Sequence, residues 1–325
     1  MSICTSLVCI EGQFGTAHWY QNPLNVTNDD LCQQKSTLGE GAFSIVEHVI
    51  YQGRHWALKR PLHQAGHDFI RREADLLVSL NRAEKRVDRE YCVQLVAFIN
   101  LGFIPMALLP LYKGGDLFSR IENSEKGLSL ESTLKITEQM LKALSFLKEQ
   151  EIIHRDIKPE NIFMVGSDDT IRLGDFGLAM KKGDIEQNRE SVGTPDYVSP
   201  ELLESLIRKS DTIPYDFPSD MWATGCLLFF AFSRIRLVTF SRGDPQCAVN
   251  LESQQKDGVR RFDANMTTIS VNKGLDPSNA LTFFQSTLKF MLDLDPTQKL
   301  APEEGKTRFS ENRSPVSISA SEELA

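Results

Sequence analysis

The chain has little cysteine, and its six cysteines form no pattern. Cys4, Cys9, Cys32, Cys92, Cys226 and Cys247 include no C-x-x-C pair and no histidine at metal-ligand spacing. That spacing excludes a zinc module or a disulfide framework and predicts reduced thiols in a cytoplasmic protein. Long hydrophobic runs are also lacking: Gly225 to Phe232 is the longest, far short of the ~20 residues that cross a bilayer. Met1 to Ile10 lacks the basic flank of a signal peptide and soon meets Glu11, so no leader is expected. Positive charge is in deficit, with 36 Lys and Arg against 44 Asp and Glu, which argues against a nucleic-acid partner. Internal repeats are absent. What remains is 325 residues, 41% of them hydrophobic, enough for one large core or two modest ones.

Residues 1–33 mix aromatics with Asn and Asp without periodicity, which reads as an extension with turns. From Ser36 to Tyr51 glycines sit between two β-rich runs, and a third strand follows over Arg54 to Lys59. Asp68 to Leu80 places Phe69, Ile70, Leu76, Leu77 and Leu80 near helical spacing, with Asp68 as the candidate N-cap. The charged stretch Asn81 to Glu90 reads as a solvated connection before strands over Cys92 to Ile99 and Phe103 to Leu109. After Gly114-Gly115 the pattern turns helical. Leu130 to Glu149 is amphipathic, and helices are expected from Pro200-Glu201, over Ser219 to Phe232 and over Ser278 to Leu294. Residues 233–276 show poor periodicity. The Ser- and Glu-rich stretch 310–325 predicts a disordered tail.

Chemistry-bearing residues concentrate in His154-Arg155-Asp156-Ile157-Lys158-Pro159-Glu160-Asn161 and in Gly174-Asp175-Phe176-Gly177. These bring two aspartates, a lysine and an asparagine together, as a site must to set a hydroxyl beside metal-bound phosphate. A third feature, Gly39-Glu40-Gly41-Ala42-Phe43-Ser44, is weak alone, since any glycine-bearing hairpin looks like this. Ala57-Leu58-Lys59 strengthens it: a lysine on a buried strand needs an anion, and the candidates are a phosphate and Glu73.

With these motifs in order from Leu38 to Glu201, the chain resembles the eukaryotic-type serine/threonine protein kinases. The resemblance implies an α+β, bilobal fold: a small β-rich N-lobe with one main helix (about 34–110) and a larger, mainly helical C-lobe (about 111–309). It implies an ATP-dependent enzyme using Mg²⁺ to phosphorylate Ser or Thr of protein substrates. Leu38, Gly39, Gly41, Val46 and Ala57 would enclose the nucleotide, and Lys59 would hold its phosphates while pairing with Glu73. Leu109 would stand as gatekeeper before the hinge at Leu111 and Tyr112. Asp156 would orient the acceptor hydroxyl, Lys158 would add positive charge, and Asn161 and Asp175 would be the Mg²⁺ ligands. His154 would brace the loop, and Thr194 would bond near Asp156. Asp116 and Glu160 match acidic positions that read basic residues upstream of the acceptor.

Departures from the pattern carry further expectations. Ser44 replaces the third glycine of the loop. Arg155 would read a negative group on the 175–201 segment, where Glu190 replaces the usual phosphosite and Ser191 is the alternative one. Lys299 stands where an arginine usually pairs with Glu201, and lysine lacks the planar fork. The competing reading, a pseudokinase acting as a nucleotide-binding scaffold, would usually lack one of Lys59, Glu73, Asp156, Asn161 and Asp175; all are present.

Overall fold

The computed structural model describes residues 6–9, 36–51, 53–83, 87–101, 103–184, 192–241, 247–276, 278–299 and 301–311. Most of the expected extension 1–33, the expected regulatory residues Glu190 and Ser191, and the expected tail beyond Glu311 lie outside them.

Two lobes are formed, one mainly β and one mainly helical. The first is a six-stranded antiparallel sheet of β1 (Ser6–Cys9), β2 (Ser36–Glu40), β3 (Ser44–Tyr51), β4 (Arg54–Pro61), β5 (Ala97–Leu101) and β6 (Ile104–Pro110), in spatial order β1-β5-β6-β4-β3-β2. Within β3 buried positions alternate at Ile45, Glu47 and Val49, the period of a strand with one covered face. Helix α1 (Gln64–Arg82) packs on this sheet, burying Ile70, Glu73, Ala74, Leu77 and Val78. It starts four residues before the expected Asp68, because His63 takes the N-cap position and turns its ring to the Ala42 carbonyl. Strand β1 pairs with β5 (Ser6↔Asn100), so residues expected to be only an extension supply a sheet edge.

Asn81 to Glu90 is not simply a solvated connection. Arg89 is buried and its guanidinium donates to the Asn81 and Ala83 carbonyls at 2.6 and 3.2 Å, closing the end of α1. Asp88 reaches Lys306.

The second lobe is built from α2 (Leu117–Glu122), α3 (Leu130–Glu149), α4 (Pro200–Ile207), α5 (Phe217–Ser233), α6 (Cys247–Arg260), α7 (Phe262–Asn272), α8 (Asn279–Met291) and α9 (Pro302–Glu311). Its axis is α5, buried from Ser219 to Phe232 and therefore mostly apolar on every side, with Asp220 and Thr224 as buried polar exceptions. A capping box holds its start: Asp216 accepts from the backbone while Ser219 reaches back to the Asp216 N–H. Two small two-stranded sheets, β7 (Ile152–Ile153) with β10 (Met180–Lys181) and β8 (Ile162–Met164) with β9 (Ile171–Leu173), frame the loops that carry the 154–161 and 174–177 motifs. The irregular stretch 233–276 contains two helices, α6 and α7, that the sequence pattern did not reveal. No described helix is long and apolar enough to cross a membrane.

Candidate active site

A cavity of about 590 Å³ opens between the lobes. Its roof is Leu38, Gly39, Gly41, Val46, Ala57 and Lys59; its back edge is Leu109, Leu111 and Tyr112; its floor carries Lys158, Asn161, Phe163 and Asp175. Register places the roof: Gly39 opposes Val46, Ala57 opposes Leu109, and Lys59 opposes Ala107. At the loop tip Phe43 stacks on Phe69 of α1 at 4.5 Å, and Ser44 lies in β3 as an ordinary strand residue.

Lys59 is buried, and its ammonium lies 2.7 Å from both Glu73 Oε2 and Asp175 Oδ1. Burial alone would lower its pKa; the two carboxylates outweigh that and raise it, so the amine is a fixed cation. Burial would likewise push the Asp175 carboxyl up, but Lys59 pulls it down to about 2. Glu73 also accepts from the Phe176 N–H at 3.1 Å, tying α1 to the Gly174–Gly177 turn.

Asp156 sits in a second cluster. Its Oδ1 accepts from the Thr194 hydroxyl at 2.7 Å, its Oδ2 is 2.8 Å from Lys158 Nζ, and Asn161 Nδ2 donates to its Oδ2 at 3.1 Å and its carbonyl at 2.8 Å. Lys158 also reaches Thr194 Oγ1 at 3.2 Å. Gly193 makes this approach possible: its φ is +105°, and a Cβ there would stand 2.6 Å from the Arg155 carbonyl. In the same 154–161 loop His154 is fully buried, with Nε2 3.0 Å from the Gly174 carbonyl and its ring edge-on to Phe176.

The residue that positions this loop was not apparent from sequence. Asp220, buried in α5, accepts from the backbone N–H of His154 at 2.7 Å and of Arg155 at 3.0 Å. Burial raises its carboxyl pKa, with His154 and these bonds acting against that. Only its sequel Met221-Trp222 at the head of an apolar helix hinted at burial. Arg155, held at φ +66°, donates from Nε to the Leu178 carbonyl at 2.6 Å and lies 5.0 Å from the Tyr215 ring. Val93, Leu77, Phe163 and Phe176 are cavity residues that sequence reading also missed. Phe163 stacks beneath Tyr112 at 5.9 Å.

Asp116 is engaged as the N-cap of α2, accepting from Ser119 N at 2.7 Å, whereas Glu160 is exposed at the cavity edge. Lys299 does pair with Glu201, at 2.6 Å, and only one oxygen is used: Glu201 Oε1 is buried with no hydrogen-bond partner.

A magnesium–nucleotide complex fits the donor set. Asn161 Oδ1 and Asp175 Oδ2 receive no hydrogen bond among the described residues, leaving two hard oxygen donors aimed at a cavity that has a fixed cation in its roof. No three His, Cys, Asp or Glu side chains among the described residues form a self-sufficient metal cluster, so phosphate oxygens would complete the coordination.

Comparison with known proteins agrees with this geometry. The protein kinase domain family model matches residues 32–308. The chain is 29% identical to the "Probable myosin light chain kinase" of Dictyostelium discoideum over 62% of this chain and 50% of that one. It is 32% identical to serine/threonine-protein kinase Nek1 of Mus musculus, over 59% and 15% respectively. Identity to calcium/calmodulin-dependent protein kinase type II of Caenorhabditis elegans is 30%, over 60% and 26%. The matched stretch spans half or less of each of these relatives.

Proposed function

This chain belongs to the protein kinase domain family, and from that premise we propose that it transfers the γ-phosphoryl group of ATP to Ser or Thr hydroxyls of protein substrates. The observation that carries the reading is the Asp156–Thr194–Lys158 cluster, with bonds of 2.7 to 3.2 Å, two of whose members, Lys158 and Thr194, line the same cavity as Lys59 and Asp175.

Members of the family generally use ATP and Mg²⁺, which supply the phosphoryl group and neutralise its charge. Leu38, Val46, Ala57, Leu109 and Phe163 offer an apolar slot for a flat base, and the backbone of Leu111 and Tyr112 lies at its edge. Lys59, held by Glu73, binds phosphate oxygens without reorganising, because its cation is already fixed. Asn161 and Asp175 would hold the metal. Asp156 accepts a hydrogen bond from the acceptor hydroxyl and takes its proton as the new O–P bond forms and the bond from the γ-phosphorus to the bridging oxygen breaks, ADP leaving with that electron pair. Thr194 donates its own hydroxyl to that carboxylate at 2.7 Å, which supports a hydroxyl as the partner of Asp156. Lys158 balances charge on the transferring group. His154 positions the loop and has no proton-transfer role.

We further assign the kinase domain to 34–309, place the protein in the cytoplasm on its buried free thiols Cys92 and Cys226, and expect Glu160 to favour a basic residue upstream of the acceptor. Arg155 is the receptor for negative charge on the activation segment. The test is label transfer from γ-labelled ATP with Mg²⁺ to a generic basic protein. Wild type should label phosphoserine or phosphothreonine and Asp156→Asn should lose at least ~100-fold; equal labelling by both would refute the assignment.

A further inference from the structure

Beside the proposed acceptor site lies a cation that neither catalysis nor folding uses fully. Arg236, in the turn after α5, places its guanidinium over a tilted pair of rings, 4.9 Å from the Phe230 centroid and 5.7 Å from that of Phe118. The rings themselves are 6.4 Å apart. They fix the guanidinium plane, as aromatic faces do. Among the described residues its one ionic partner is Asp196, at 3.8 Å, beyond hydrogen-bond distance, and that carboxylate is already engaged by the Phe240 N–H through Oδ1. No hydrogen bond to Arg236 occurs among the described residues, although its side chain is only 31% exposed. A guanidinium carries five donors. Leaving all of them unused while the group is pinned is wasteful for stability and apt for a ligand.

Location supplies the second observation. Asp196 is two residues beyond Thr194, which bonds Asp156, so the two lie within about 7 Å along the backbone. Between Asp196 and Val198, Tyr197 is buried and its hydroxyl has no partner. Burial raises the Tyr197 pKa; Arg236 pulls it down, and Glu160 and Asp196 push it up. Of these groups Asp196 is the chain neighbour of Tyr197 and lies 3.8 Å from Arg236. Phe118, the other wall, is on the helix capped by Asp116 at the cavity edge.

We infer that Arg236 is a specificity-determining residue that reads an anionic side chain, carboxylate or phosphate, on the peptide bearing the acceptor hydroxyl. This rests on the kinase reading above. With Glu160 exposed at the cavity edge and Arg236 beside Asp196, the matching peptide carries both signs. The planar guanidinium suits bidentate contact with a carboxylate or phosphate, and the ligand would replace the loose Asp196 contact with direct hydrogen bonds.

The test uses the full chain and a peptide series in which one Asp, one phosphoserine or one Asn is walked along the positions flanking a Ser acceptor. At one register, Asp or phosphoserine should beat Asn by about tenfold or more in kcat/KM, the low end for a charge-assisted hydrogen bond. The gain should lie in the peptide KM. Arg236→Gln should flatten the preference and Arg236→Glu should reverse it towards a Lys-substituted peptide. A wild-type series with no anion preference at any register overturns the proposal without relying on a variant's folding. So does a preference that survives in Arg236→Gln. Fluorescence anisotropy with the same labelled peptides separates the two claims: no transfer with anion-selective binding sinks the proposed activity and keeps this site, and binding without anion selectivity sinks the site.

Discussion

Lys299 offers a worked case of what one substituted residue does to the C-lobe. Its side chain is fully buried, its Nζ lies 2.6 Å from Glu201 Oε2, and the Trp222 ring centroid is 5.6 Å away. Burial lowers the lysine pKa, with Glu201 opposing that shift. Lys299→Met keeps most of the stem and removes the charge, leaving a carboxylate buried with neither oxygen paired. Breaking one side of a buried ion pair costs about 3–5 kcal/mol. At ~2–4 °C per kcal/mol for a domain of this size, melting should fall by roughly 6–20 °C. Glu201→Gln in the Met background should recover part of the loss, so the two changes are non-additive. Lys299→Arg acts in the opposite direction: a second N–H can reach Oε1, now orphaned, for a gain of about 1 kcal/mol. Denaturant unfolding of these four proteins and of the Glu201→Gln single variant, which completes the cycle, reads all of this. A Lys299→Met loss below ~1 kcal/mol would show that the pair does not hold Glu201 and would refute the reasoning.

Asp220→Ala should cost about 2–5 kcal/mol, since the His154 and Arg155 N–H groups each lose a buried acceptor; Asp220→Asn, with one oxygen left, should lose less in the same melt. Gly193→Ala should cut phosphate transfer by ~10-fold or more with little change in nucleotide binding, because the added Cβ meets the Arg155 carbonyl beside Asp156 and not the cavity. The Asp175–Lys59 attraction holds the Asp175 pKa at about 2 against 3.8 unfolded. Its stabilisation is therefore complete above 3.8 and lost as pH falls towards 2. The melting difference between wild type and Asp175→Asn should be flat at neutral pH and shrink through that acid window.

How much of this was readable depended on whether a residue's role is set locally. Lys59, Asp156, Asn161 and Asp175 fall in the short motifs that carry the family resemblance, and α3 and α5 announce themselves by periodicity or a long apolar run. Asp220 could not be read because its partners are backbone N–H groups of a loop 65 residues earlier, which no side-chain pattern encodes. Helices α6 and α7 were hidden for a related reason: Gln255 and Ser270 are buried, and Gln255 donates to the Val198 carbonyl. Polar residues at core positions interrupt the stripe that periodicity needs. The charged run before β5 misled in the same way, since Arg89 serves helix carbonyls and Asp88 a lysine from α9. Arg236 looks like an ordinary loop arginine until Phe118 and Phe230 are brought beneath it.

The most direct measurement is site-resolved mass spectrometry of a Ser/Thr peptide pool after incubation with ATP and Mg²⁺, run on wild type, Lys59→Met and Asp156→Asn side by side. Phosphoserine and phosphothreonine should accumulate with wild type alone. Nucleotide-induced thermal stabilisation should persist in Asp156→Asn, whose change leaves the Lys59–Glu73 pair intact. Wild-type protein that gains thermal stability with nucleotide but leaves every peptide unmodified would contradict the account.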